Sequence, residues 1–211
     1  MNSTSQSHLF YGSASPLAAL SGGGLLIMAT SRFSYAVIVC VSLFWVYCLS
    51  VLVFRAAFKI FPRSGIALVQ TFLASFMAAL FLLLLWLICP FSAFEVFFIV
   101  SLVPLFCVSS GIFQRIHSNK ISDALKRAWS EAAVLGLLML IFALIREPLG
   151  LFSLSLPGGH KGIIFLFSAN SESLLSVRFI AGSSGALLLL GYGLSVYRYF
   201  RSINAPREMD I

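Results

Sequence analysis

Apolar residues come in long uninterrupted runs along this chain, with neither the alternation of a half-buried strand nor the one-sided stripe of a surface helix. Phe33 to Phe54 carries no charged residue. A helix needs about 20 apolar residues to cross the hydrocarbon of a bilayer, and this run supplies them. Gly65 to Cys89, ended by Pro90, is a second such run, and Val96 to Phe113, interrupted at Pro104, a third. Trp129 to Ile145 and Phe179 to Tyr197 follow. Pro16 to Thr30 is shorter, with Gly22-Gly23-Gly24 in its middle, and counting it makes six. The pattern predicts an all-α polytopic membrane helix bundle of about six spans.

The connections carry the punctuation. Pro62 closes the loop after the second span, and Pro148 follows Arg146-Glu147 at the end of the fifth. Gln114 to Lys126 reads as an amphipathic interfacial helix with Ile116, Ile121, Ala124 and Leu125 inward. The longest loop, roughly 150–177, holds Gly, Pro, Ser and Asn and is placed outside; residues 198–211 form a cytoplasmic tail.

The first and fourth spans are both broken, one by its glycines, the other at Pro104 and again at Ser109-Ser110-Gly111. Interrupted spans at corresponding positions of two halves point to a 3+3 inverted repeat, with a site where the half-helices meet near the midplane. Gly and Pro are also common in membrane helices at large, so the spacing leaves both readings open.

Composition fits the bilayer. Of 211 residues, 60% are hydrophobic and 10% charged, where a soluble domain has about half and a quarter. A soluble fold could not cover that excess with polar surface. The net charge of +7 raises the question of a nucleic-acid partner, but no basic run or aromatic-interleaved patch accompanies it, and none is expected. The cations instead set topology. With six spans, one side holds Arg55, Lys59, Arg63, Arg115, Lys120, Lys126, Arg127, Arg198, Arg201 and Arg207. The other holds Arg32, Arg146, Lys161 and Arg178. That bias places the carboxyl terminus in the cytoplasm; six spans, the preferred count, put the amino terminus there too, and five would put it outside. The amino terminus lacks the charged start of a signal peptide, and no cleavage is expected.

Chemistry-bearing residues are few. Cys40, Cys48, Cys89 and Cys107 all fall in apolar runs without a CxxC pair, which argues against a disulfide framework. Cys40 and Cys48 are about 12 Å apart along one helix, too far to share a metal ion. Cys107, just past Pro104 in LVPLFCVSSG, is the candidate ligand for a soft metal or a cluster, or else a small apolar filler. Arg146 and Glu147 form an interfacial pair, or a functional one if drawn into the bundle. Glu95 is the other ionisable group near the membrane, a candidate proton or sodium relay or an interfacial residue. His8, His117 and His160 have no metal spacing, and no phosphate loop, nucleophile elbow or dinucleotide fingerprint occurs. The chain carries no complete active site.

Six spans with broken first and fourth helices, LIMATSRF, LFCVSSG and LIREPLGLFSL together resemble the RnfE/NqrD family over roughly Pro16 to Phe200. These are membrane subunits of the Rnf and Na⁺-translocating NADH:quinone oxidoreductase complexes of the bacterial cytoplasmic membrane. The resemblance implies a homologous RnfA/NqrE-type partner of opposite orientation and a 2Fe-2S cluster shared between the two chains. Electrons would cross the membrane through it, coupled to Na⁺ or H⁺ movement. Cys107 matches the family's fourth-span cysteine. The first-span cysteine has no counterpart: its position falls at about Gly24 or Leu25, and no cysteine precedes Cys40. An altered ligand set, a rewired electron path or a non-redox scaffold all remain open, as does a small-solute transporter, although Gln70 is almost alone as a polar group inside the spans.

Overall fold

Runs this apolar satisfy their backbone internally as helices, because lipid offers nothing to bond to. The computed structural model describes residues 16–57, 66–111, 113, 121–158, 162–168 and 178–204. Among the described residues, eight helices and one hairpin follow in order: α1 (Pro16–Ala29), α2 (Phe33–Ala57), α3 (Ile66–Ile88), α4 (Pro90–Ser101), α5 (Val103–Ser109), α6 (Ile121–Leu151), β1 (Ser153–Pro157), β2 (Ile163–Ser168), α7 (Arg178–Ala181) and α8 (Ser183–Asn204). Four stretches among the described residues are long and apolar enough to cross a membrane: Phe33–Ala56, Leu68–Ile88, Pro90–Ser109 and Ile121–Leu151. The chain is a helical bundle of the multi-pass membrane type.

Of the expected breaks, the one at Ser109-Ser110-Gly111 falls where expected, the one at Pro104 is displaced, and the one at the glycine triplet is absent. Helix α1 runs straight through Gly22-Gly23-Gly24 and ends in a turn at Thr30 to Arg32. Pro104 does interrupt the long apolar helix, but two residues before its own position. Its ring removes the amide that would bond to Val100, so the chain turns at Leu102, whose amide reaches back to Ile99 O at 3.1 Å, and α5 resumes with Pro104 in its first turn. Gly111, with φ of 70°, ends that element in the left-handed conformation that glycine tolerates.

Helix α6 begins at Ile121, so Ile121 to Lys126 are its opening turns and no separate interfacial helix. Ala124 is buried there, but Ile121 is exposed, against the expected inward face. The earlier part of that expectation, 114–120, lies outside the described residues. Helix α6 also passes through Pro148 and continues to Leu151. Within the expected external loop, β1 and β2 pair antiparallel, Ser153 with Ser168 through Pro157 with Ile163. The fold therefore adds a hairpin to an otherwise helical chain.

Helix α2 is the axis of the core. Val39, Leu43, Val46, Tyr47 and Phe54 on it are all fully buried, packed among α3, α5 and α6. It meets α6 most closely at Gly136, where an added Cβ would lie 2.5 Å from Cys40 Sγ. A second tie comes from Phe44 against Trp129, with centroids 4.7 Å apart. Small residues let membrane helices approach this closely. Gly136→Ala is therefore expected to destabilise the protein by about 1–3 kcal/mol through overpacking. Adding Cys40→Ala removes the sulfur in the way and should restore most of the loss, as read from melting of the two variants and the double variant in detergent.

Candidate functional site

Arg146 and Glu147 lie one turn before the end of α6, and both are drawn inside, 2% and 1% exposed. Neighbours on a helix point in different directions, and each of these finds its own partners. The Arg146 guanidinium spans two helix ends. Its Nη1 donates to Ile27 O at 2.7 Å and to Thr30 Oγ1 at 2.9 Å, at the carboxyl end of α1. Its Nη2 donates to Ala181 O at 2.7 Å and Gly182 O at 3.0 Å, and its Nε to Ile180 O at 3.2 Å, at the carboxyl end of α7. The last carbonyls of a helix have no partner within it and carry its negative end, so a planar cation with five donors suits two such ends at once.

Glu147 does the converse. Its Oε2 accepts from the Phe33 amide at 2.6 Å, the first amide of α2, and its Oε1 accepts from Ser153 Oγ at 3.4 Å, the first residue of β1. A carboxylate at a helix amino terminus is favourable for the same dipolar reason. Thr30 completes the joint by donating from its hydroxyl to Leu26 O at 2.7 Å. The turn between α1 and α2 is thus held from both sides by consecutive residues of α6. Gly150, one turn further on, lets α7 come close: an added Cβ would lie 2.7 Å from the Ala181 amide nitrogen.

Cys107 is fully buried in α5. Its carbonyl accepts from Ser110 Oγ at 2.8 Å, and Ser110 Oγ in turn accepts from the Tyr47 hydroxyl at 3.3 Å. Phe106, the residue before it, lies on α1 at Gly22, where an added Cβ would be 2.8 Å from the ring. Gly24 faces open space, with nothing within 4 Å of where a side chain would begin. Of the other thiols, Cys40 packs on Gly136, Cys48 sits half-buried on α2, and Cys89 precedes Pro90 at the start of α4. Glu131 on α6 is within electrostatic reach of Cys107, which the sequence pattern gave no reason to expect. The structure brings Arg146 and Glu147 into one joint and leaves Cys107 and Gly24 apart from it.

A 2Fe-2S cluster takes four thiolates. Among the described residues, no three His, Cys, Asp or Glu side chains gather as a metal site. Cys107 is fully buried in α5, and Gly24 on α1 carries no donor.

Helices of this length and apolarity, closed by buried polar joints at their ends, define a multi-pass membrane protein. Comparison with known protein families, with curated proteins and with solved structures finds no match for this chain.

Proposed function

We propose that the chain is a membrane core subunit of an ion-translocating electron-transport complex of the Rnf and Nqr kind. It would cross the bacterial cytoplasmic membrane six times, α1 and α8 included, with both termini inside and the second half repeating the first in inverted form. The observation that carries the reading is the joint at Arg146 and Glu147. One of the three stretches that resemble the family, LIREPLGLFSL, is also the one whose charged residues the bundle buries and uses to hold α1, α2 and α7.

In the form implied by the resemblance, electrons pass through a cluster shared with an RnfA/NqrE-type partner. Because Cys107 is enclosed and unaccompanied, the contribution of this chain is placed in its fold: it supplies the low-dielectric helical half against which the partner and the flavin-bearing subunits assemble, coupled to Na⁺ or H⁺ movement. The enclosed thiol favours this scaffold form over one with two ligands on each chain.

Purification by a tag on this chain tests the reading. Co-purification with flavin-bearing subunits and a homologous membrane partner is the expected result, and a chain that comes through alone from gently solubilised membranes overturns it. The EPR spectrum of the dithionite-reduced complex then tests the scaffold form. Cys107→Ser is expected to leave every cluster signal unchanged. A 2Fe-2S signal that disappears in Cys107→Ser and survives in Cys48→Ser would make Cys107 a ligand after all.

A further inference from the structure

The hairpin is built inside out for a segment in water. Ser153 and Ser155 of β1 are buried toward the helices, and Ser155 Oγ accepts from the Ser34 amide at 3.3 Å. The intervening residues, Leu154 and Leu156, point to the opposite face, where Ile164 is the register partner of Leu156. An antiparallel hairpin in water puts its apolar residues on the core and its polar ones outward. Here the order is reversed.

Strand β2 extends the apolar surface. Ile164, Phe165 and Leu166 are 47%, 50% and 61% exposed, three in succession. The register shifts between Leu154 and Ser155, which leaves Leu166 as the extra residue of a bulge and breaks the alternation there. Phe165 shares the inner face with its partner Ser155, and the Arg32 guanidinium lies 5.7 Å from its ring and 5.9 Å from that of Tyr35. A two-stranded hairpin with open apolar faces is marginal in water.

Its depth is fixed by its roots. The hairpin leaves α6 directly at Leu151, is bonded to the first turn of α2, and lies beside α4, where a Cβ on Gly162 would be 3.9 Å from Phe91 Cβ. Phe91, Ile145 and Leu149, on the helix turns next to it, are exposed apolar residues of the membrane-length helices. Exposed apolar residues of those helices thus adjoin the hairpin, with Glu95 beside Tyr35 and Arg32 as the charged group at its margin.

We propose that the hairpin rests in the acyl–headgroup boundary of the adjacent leaflet, with Ile164 and Leu166 against lipid and Arg32, between two aromatic rings, at headgroup level. Aromatic and arginine side chains favour that layer. The inference needs only that the helices span the membrane, and it stands or falls apart from the electron-transport reading.

A diazirine amino acid placed at position 164 or 166 of the full chain, in native membranes, gives the test. Photolysis followed by mass spectrometry is expected to show phospholipid adducts in yield comparable to the same probe at Leu138, a lipid-exposed position in the middle of α6. The variants Ile164→Ser and Leu166→Ser, each carrying the probe at the other position, guard against a local distortion by the probe. Water adducts alone at both positions would overturn the proposal. So would a crosslink to another polypeptide in place of lipid, which would make the hairpin a subunit contact.

Discussion

Replacing Arg146 with alanine is expected to destabilise the protein more than any other single substitution at a polar residue. The change leaves five acceptors at the ends of α1 and α7 without their donors, around a side chain that is 2% exposed. Leaving a buried acceptor without its donor costs about 1–3 kcal/mol, so several left at once cost roughly 3–5 kcal/mol after local relaxation. In a protein of this size that corresponds to a fall in melting temperature on the order of 10 °C. Arg146→Lys should recover only a small part, because an ammonium cannot reach two helix ends with a planar fork. The enclosed Cys107 gives the readout: with Cys40, Cys48 and Cys89 replaced by alanine in both proteins, a thiol-reactive fluorophore reports unfolding in detergent as the remaining thiol becomes accessible. A melting curve for Arg146→Ala that matches the parent would show that the joint does not hold the bundle together.

Gly150→Val is expected to come next. Its Cβ would meet the backbone of Ala181 at 2.7 and 2.9 Å, and backbone in a short helix pinned by Arg146 has nowhere to go. Overpacking of this kind costs about 1–3 kcal/mol by itself. Displacing α7 also lengthens the bonds from Arg146 to Ile180, Ala181 and Gly182, so the loss should approach that of Arg146→Ala. Gly22→Ala is the control. It also meets an atom at close range, but that atom belongs to the Phe106 ring, which can turn away, and a much smaller shift in melting is expected. Equal losses in the two variants would remove the distinction between a backbone and a side-chain obstacle.

Much of the helical frame is legible in the sequence because lipid imposes one requirement, an apolar run that satisfies its own backbone. Phe33 to Phe54 admits no other reading. Breaks are harder to place. Glycine weakens a helix by about 1 kcal/mol, too little to end one that is packed, so α1 runs through its glycine triplet. Pro104 acts on a residue upstream of itself, through the carbonyl it fails to serve. The hairpin is hidden for a different reason. Ile163 to Phe167 is an apolar run too short to span a membrane, and Ser153 and Ser155 look like loop residues until α2 and α6 are seen behind them. At Arg146-Glu147 the sequence offers two opposite charges at the end of a span, which suits an interfacial pair. Their burial depends on acceptors at Ile27 and Ile180 and on a donor at Phe33, none of which is close in sequence.

That separation has a consequence for synthesis. Ile27 precedes Arg146 by 119 residues, and Ala181 follows it by 35. As the chain emerges, its first helix lacks this polar anchor until α6 is made, and the arginine then enters the membrane edge with three of its five acceptors still in the ribosome. The guanidinium is fully paired only after the last two helices begin to insert. A nascent chain stopped before position 178 therefore carries a partly unpaired cation at the place where a finished chain is closed, which gives a quality-control protease a chemical difference between the two.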